Sequence, residues 1–248
     1  MKDILQKIDE LQKQINEFRP LDRETILSLK QYYKIGLTWS SNAIEGNCLT
    51  ESETKVVIED GLTIGGKPLH DHIEALGHAE AFDWMSDLAQ KVDITEKDIL
   101  DLHRIFYVKI DESNAGRYRQ QKVFISGSHY PLPLPEKIQD LMKNLIPAIR
   151  DNRKNLHPVI AAAKAHLDFV FIHPFIDGNG RVGRLLLNLV LLQEGYNIAL
   201  ISPVLRSDYI ASLEAAHTND NEHMKYIGRA VIETQKDYLR LMNAEPPR

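Results

Sequence analysis

The stretch His173–Arg184, HPFIDGNGRVGR, decides how this chain is read. It places two glycines, an asparagine and an aspartate between the apolar segments AHLDFVFI and LLLNLVLL. Asp-Gly and Asn-Gly are turn residues, so a helix–helix connection is the minimal reading. A histidine at the start and two arginines at the end exceed what a turn requires. The loop falls where the second apolar segment begins as a helix. There the first N–H groups lack intrahelical partners and the helix dipole is positive. Glycine at 178 and 180 lets backbone approach an anion closely, the general design of a phosphate cradle. Arg181 and Arg184, three residues apart, suit a polyphosphate better than a single phosphate. Asp177 is a hard oxygen ligand suited to Mg²⁺ bridging phosphates. His173 has an ordinary pKa of about 6.5, which suits a proton acceptor near neutral pH.

Other glycine-loop chemistries fail on the letters. A P-loop needs Gly-Lys-Ser/Thr, and here the letters are Gly-Arg-Val. An EF-hand with Gly178 at its sixth position would put His173, Phe175 and Arg184 where acids belong, so calcium is rejected. A Rossmann loop follows a strand, and this one follows a helical pattern.

The 248 residues allow one large domain, or a core with an extension, and 43% hydrophobic residues supply a sizeable core. A net charge of -5 gives no sign of general nucleic-acid binding. Cys48 is the only cysteine, which excludes a disulfide framework and a cysteine zinc site. The start MKDILQKIDELQKQ alternates charge with apolar residues, unlike a signal peptide. The run LLLNLVLL is too short to cross a bilayer. The expected location is the cytoplasm, with no membrane and no nucleic-acid partner.

Periodicity predicts an almost wholly helical chain. Ile4, Ile8, Leu11, Ile15 and Phe18 mark a helix over 3–19, stopped by Pro20, which docks on the core or packs in a homo-oligomer. Asp22 caps a helix reaching about Glu45, with Gly46-Asn47 as its stop signal. Thr50 and Glu53 form a capping box for a helix ending at Gly61. Further helices are expected at 70–90, 95–108, 135–150, 157–172, 180–194, about 207–217 and 221–242. The stretch RYRQQKVFISGSHYPLPLP breaks the pattern, and a short β-hairpin flap is expected over 119–131. Trp39 and Trp84 are expected in the core. His70, His72 and His78 are expected as surface or capping residues, and His157 and His166 as packing residues.

HPFIDGNGRVGR resembles the Fic family signature, His-x-Phe-x-Asp/Glu-Gly-Asn-Gly-Arg-x-x-Arg, at every defined position. The resemblance implies an all-α Fic fold, a helical bundle around a central helix with a small β-hairpin flap. It implies transfer of AMP from ATP to a Ser, Thr or Tyr hydroxyl of a protein substrate, the chain itself included, with ATP and Mg²⁺ bound. His173 would take the hydroxyl proton and Asp177 would hold the metal. The backbone of Gly178, Asn179 and Gly180 would cradle phosphates with Arg181 assisting, and Arg184 would hold the γ-phosphate. Val182 and Gly183 complete the loop, and Phe175 would fix it in the core. VFISGSHYP matches the target-docking flap, through Val123, Phe124, Ile125, Ser126, Gly127, Ser128 and His129. SDYIASLEAAHTND resembles the segment closing the adenine pocket, where Tyr209 would meet the base and His217 replaces an asparagine of some relatives. Asn188 fits either the core or the adenine edge. On this reading 1–60 are N-terminal helices, 61–220 the catalytic core, and 221–248 a C-terminal helix and tail.

A second stretch, SSNAIEGN, resembles the inhibitory helix of the same family, through Ser41, Glu45 and Gly46. The resemblance implies that Glu45 pairs with Arg184 and displaces the γ-phosphate, making the enzyme autoinhibited, with the inhibitory helix at about 22–46. At ~4 Å and an effective dielectric near 20, such a pair is worth about 4 kcal/mol before desolvation. The same carboxylate suits the reverse chemistry, orienting water for AMP removal. A nucleotide-binding regulatory module with negligible turnover is the third reading, which the intact His173 opposes.

Overall fold

The computed structural model describes residues 1–243, so the expected tail beyond 243 lies outside the described residues. The chain folds into α1 (Lys2–Asn16), α2 (Arg23–Ile44), α3 (Glu51–Glu59), α4 (Leu69–Leu88), α5 (Glu96–Tyr107), α6 (Ile138–Asn155), α7 (Pro158–Ile172), α8 (Asn179–Gln193), α9 (Arg206–Ala215) and α10 (Asn221–Asn243). Short 3-10 turns at Pro135–Lys137 and Pro203–Leu205 lead into α6 and α9. The fold class is all-α, as the periodicity predicts.

Local chemistry sets the helix starts. Asp22 accepts the Thr25 N–H at 2.9 Å. Thr50 with Glu53, and Thr95 with Asp98, close reciprocal capping boxes. His157 caps α7 by accepting the Val159 N–H at 3.2 Å.

The core is built around α8, whose side chains from Val182 to Leu191 are all buried. A helix apolar on every face can only sit at the centre of a bundle. α7 packs along it, α4 and α2 cover another side, and α1 lies against α10. Leu37 and Ile44 of α2 belong to the same buried cluster as Leu185 and Leu189 of α8. Asn188, fully buried, takes a core role: it accepts the Ala199 N–H at 2.6 Å and donates to the Arg184 carbonyl at 3.0 Å.

Three expectations need correction. Among the described residues no strand forms, so 119–131 is an irregular flap rather than a β-hairpin. Arg119 takes the Gln121 and Pro133 carbonyls, Glu214 takes the His129 N–H, and the Ser128 N–H bonds the Ile125 carbonyl in a turn, so these groups are not available to a ladder. Trp39 and Trp84 are half-buried at the rim, not in the core. His78 is fully buried with Thr38 Oγ1 at 3.1 Å, and His72 is buried between the Ile64 N–H and the Pro68 carbonyl; only His70 of the three is exposed.

Candidate active site

α7 ends at His173 with φ 49°, the single non-glycine residue at positive φ among the described residues. That left-handed geometry costs on the order of 1 kcal/mol and persists only where surroundings enforce it. Buried Arg119 supplies the enforcement by donating to the His173 carbonyl at 2.8 Å, while its backbone N–H reaches the Pro174 carbonyl at 2.9 Å. Arg119 thereby joins both ends of the flap to the loop. His173 Nδ1 is buried without a partner, which leaves Nε2 as the nitrogen open to the cleft. Burial first, then the Arg119 charge, lowers the His173 pKa to about 4. The ring is therefore neutral at pH 7.

Phe175, fully buried, stacks on His103 with ring centroids 3.7 Å apart. The Asn179 side chain braces the loop from inside, accepting the Phe175 N–H and donating to the Phe175 carbonyl, both at 2.9 Å. Its amide is thus structural. His103 accepts the Gly116 N–H at Nδ1 (2.9 Å), so its proton sits on Nε2, 3.1 Å from the Asp177 carbonyl. Gly178 follows at φ 78° and starts α8 without any side-chain cap. The first N–H groups of α8 therefore remain for an anion.

Glu45 lies beside that position. The Glu45 carboxylate lies so close over Gly180 that a Cβ there would collide with it. Its Oε1 accepts from Arg184 Nη2 at 2.6 Å. Arg184 is 2% exposed and also donates to Ser41, from Nε to the hydroxyl and from Nη2 to the carbonyl, both at 2.9 Å. Burial pushes the Glu45 pKa up, but Arg184, then Arg181 and Arg206, outweigh it, and the carboxyl is held below its ordinary value. Arg206 also fixes the end of α2 by donating to the Ile44 carbonyl at 2.6 Å.

Arg181 is engaged differently from Arg184. Its Nη1 pairs with buried Glu74 of α4, its Nη2 lies 3.2 Å from Asp177, and its face covers Phe106 at 4.6 Å. Asp177 itself is about half exposed, with a side-chain exposure of 54%, and points its carboxylate toward solvent. Val182 and Gly183 do not line the cleft. Val182 is in the core, and Gly183 packs against Val170, His166 and Phe169.

The cleft over Glu45, His173, Gly180 and Arg184 is closed on its far side by α9 and the flap. Glu214 holds the flap down, accepting the Ser128 hydroxyl at 2.9 Å and the His129 N–H at 2.6 Å. His217 is sandwiched between Tyr130, 4.0 Å away, and Phe171, 3.9 Å away. Phe124 is 89% exposed beside Ile125, and Val123, Ser126 and Gly127 complete the outer arm of the flap.

Tyr209 is fully buried and its hydroxyl is committed. The Ser212 hydroxyl donates to the Tyr209 carbonyl at 2.7 Å, so Ser212 Oγ accepts from His223 Nδ1 at 3.0 Å. His223 Nε2 then accepts from His166 Nδ1 at 3.2 Å, and His166 Nε2 accepts the Tyr209 hydroxyl at 2.9 Å. Both histidines must be neutral for this order, and burial lowers both pKa values. The Tyr209 ring lies 5.9 Å from the Arg184 guanidinium.

Glu74, His103, Arg119, Arg206 and Glu214 escape a reading of the sequence. Each acts on a residue distant in the chain, and no local spacing marks it.

Residues 93–191 match the Fic/DOC family. The chain is 38% identical over 204 residues to "Protein adenylyltransferase Fic" of Drosophila grimshawi, covering 81% of this chain and 42% of that protein. The protein of the same name from Drosophila melanogaster is 37% identical, with 41% of it covered. The chain thus spans about two-fifths of the length of these relatives. Among solved structures, Fic-1 from C. elegans superposes with a TM-score of 0.87 at 29% identity, covering 97% of this chain and 72% of that one. A Fic domain containing signaling protein from Bacteroides thetaiotaomicron superposes with a TM-score of 0.87 at 26% identity, covering 98% of this chain and 100% of that one.

Proposed function

We propose, for a chain that belongs to the Fic/DOC family, that it is an autoinhibited protein adenylyltransferase. ATP is the donor and a Ser, Thr or Tyr hydroxyl of a protein, including this chain's own, is the acceptor. One observation carries the reading: a carboxylate of the chain itself sits at the N-terminus of α8, against Gly180 and paired with Arg184. Glu45 is then the anion that the γ-phosphate must displace from Arg184.

With the phosphates in that position, the N–H groups of Gly178, Asn179 and Gly180 would hold them and Arg184 would take the γ-phosphate. His173 Nε2 accepts the proton of the target hydroxyl as its oxygen attacks the α-phosphorus. The bond from that phosphorus to pyrophosphate breaks, and pyrophosphate leaves. Catalysis rests on positioning and charge stabilisation. Asp177 fits Mg²⁺: it is a hard, half-exposed carboxylate beside the cradle, and phosphate oxygens would complete the shell. The metal would neutralise developing phosphate charge. Arg181 acts indirectly, holding Asp177 while Glu74 holds it. The target's main chain would lie along the flap, with Phe124 and Ile125 as apolar contacts. Among the described residues no helix is long and apolar enough to cross a membrane.

A second reading shares the site. Glu45 uses only Oε1 on Arg184, and it faces the same cleft as His173. Its other oxygen is placed to orient water against an AMP-modified hydroxyl. The test is incubation of the wild-type chain and Glu45→Gly with α-labelled ATP. Label on protein, stronger in the variant, supports transfer. No label in either defeats it, and label lost only from a pre-modified protein in the presence of Glu45 supports removal.

A further inference from the structure

The turn after α2 meets α8 twice. The first meeting is Glu45 on Arg184. The second passes through α4. Asn47 Nδ2 donates to Glu74 Oε2 and to the Asp71 carbonyl, both at 3.0 Å. Glu74 Oε1 in turn pairs with Arg181 Nη1, and His70 Nε2 lies 3.2 Å from the same oxygen. Glu74 is 6% and Arg181 3% exposed, so this charge pair is little screened.

Asn47 is used completely. Its Oδ1 accepts the Leu49 N–H at 3.0 Å, which is an ordinary turn contact. That turn accounts for the oxygen and leaves the amide NH₂ unexplained. The NH₂ reaches α4, where the adjacent Cys48 N–H also bonds Asp71 Oδ2 at 2.7 Å. Arg181, gripped by Glu74 and Asp177, cannot turn without leaving a buried charge unpaired.

We propose that Glu74 is a positioning residue that fixes the Arg181 guanidinium beside Asp177 and, through Asn47, ties the inhibitory turn to it. Glu45 is then held over Gly180 by its own bond to Arg184 and by this indirect second hold. The inference rests on the autoinhibited-transferase reading above and adds a regulation of that site.

Asn47→Ala cuts the hold while leaving Glu45, Glu74 and both arginines in place. In the full chain, self-labelling from α-labelled ATP should rise about threefold or more, the coupling expected of contacting residues. In a Glu45→Gly background the same substitution should add nothing. Amide exchange over residues 45–49 should quicken, with the thermal midpoint showing that the fold persists. Glu74→Gln, made in the Glu45→Gly background, keeps the shape and removes the charge. It should raise the KM for ATP about tenfold, as loss of an orienting partner does, with kcat within about twofold. A fold defect would instead lower kcat. Unchanged labelling by Asn47→Ala, an equal gain in both backgrounds, or an unchanged KM in Glu74→Gln overturns the proposal. If Glu45→Gly itself labels nothing, the transferase reading fails first and takes this inference with it.

Discussion

Glu45 and Arg184, 139 residues apart in sequence, share a 2.6 Å hydrogen bond at the N-terminus of the central helix. Freeing the arginine should activate transfer. Glu45 is about one-third exposed, so solvent takes back part of the ~4 kcal/mol that a bare pair would have. A retained ~1.4 kcal/mol corresponds to about a tenfold rise in labelling for Glu45→Gly. Glu45→Gly with Arg184→Ala should lose most of that gain, because both act through one contact. Additive behaviour in radiolabel transfer would sever the link.

His173→Ala should abolish transfer and leave ATP affinity by calorimetry nearly intact, since the phosphate donors follow it in the chain. The pH profile gives a second check. The His173 pKa is lowered to about 4, and Glu45 is one of the groups raising it. The acid limb of kcat/KM for the free enzyme should therefore lie well below 6.5, and lower still in Glu45→Gly. A limb at 6.5 would contradict the burial of the ring.

Asp177→Ala should reduce the dependence of ATP affinity on Mg²⁺, because a hard carboxylate leaves the phosphate shell. Titration of ATP with and without Mg²⁺ reads this directly. A variant as Mg²⁺-responsive as the wild type would place the metal elsewhere.

Acid should unfold the protein through its histidines. His78 is lowered to about 3, His103, His173 and His223 to about 4, and His166 well below its ordinary value, each chiefly by burial. Unfolded, they titrate near 6.5. From about pH 6.5 down to 4 the unfolded chain binds the extra protons, so stability is full above 6.5 and falls as pH drops. Denaturant midpoints from pH 7 to 5 should show a slope from several protons. A flat profile would mean that these rings are not neutral and buried.

The ordered chain from Ser212 to Tyr209 makes a separate forecast. His166→Leu leaves a buried hydroxyl without its acceptor, at a cost of about 1–3 kcal/mol. Tyr209→Phe orphans the opposite partner. The two single losses in unfolding free energy should therefore sum to more than the loss in the double variant. Strict additivity would show that the bond carries no stability.

Helix starts and the anion loop were legible because their chemistry is local. Asp22, Thr50 and Thr95 cap the backbone three residues on, and Gly178 opens the helix it precedes. The bracing was not. Glu74 reaches Arg181 across 107 residues and Glu214 reaches the flap across 85 or more. Such partners are chosen by packing, and no spacing announces them. The flap misled for a related reason. It carries β-branched and aromatic residues as a strand would, but Arg119 and Glu214 take the Gln121 and Pro133 carbonyls and the His129 N–H, and the Ser128 N–H turns back onto the Ile125 carbonyl. The burial of His78 has no local mark because its partners, Thr38 and Phe106, lie on other helices.

The embedding of α2 limits how the Glu45–Arg184 contact can be broken. Leu37 and Ile44 are each 1% exposed and Tyr33 and Ile35 below a tenth. Withdrawing such side chains from the core costs roughly 1.5–3 kcal/mol apiece. Turning the single Glu45 side chain to another staggered well forfeits little beyond the Arg184 contact, about 1.4 kcal/mol. Swinging the carboxylate is therefore cheaper than withdrawing the helix. On the reading proposed above, repression would be a rotamer population with which ATP competes by mass action, so the degree of activity would track nucleotide concentration continuously rather than through a rearrangement of helices.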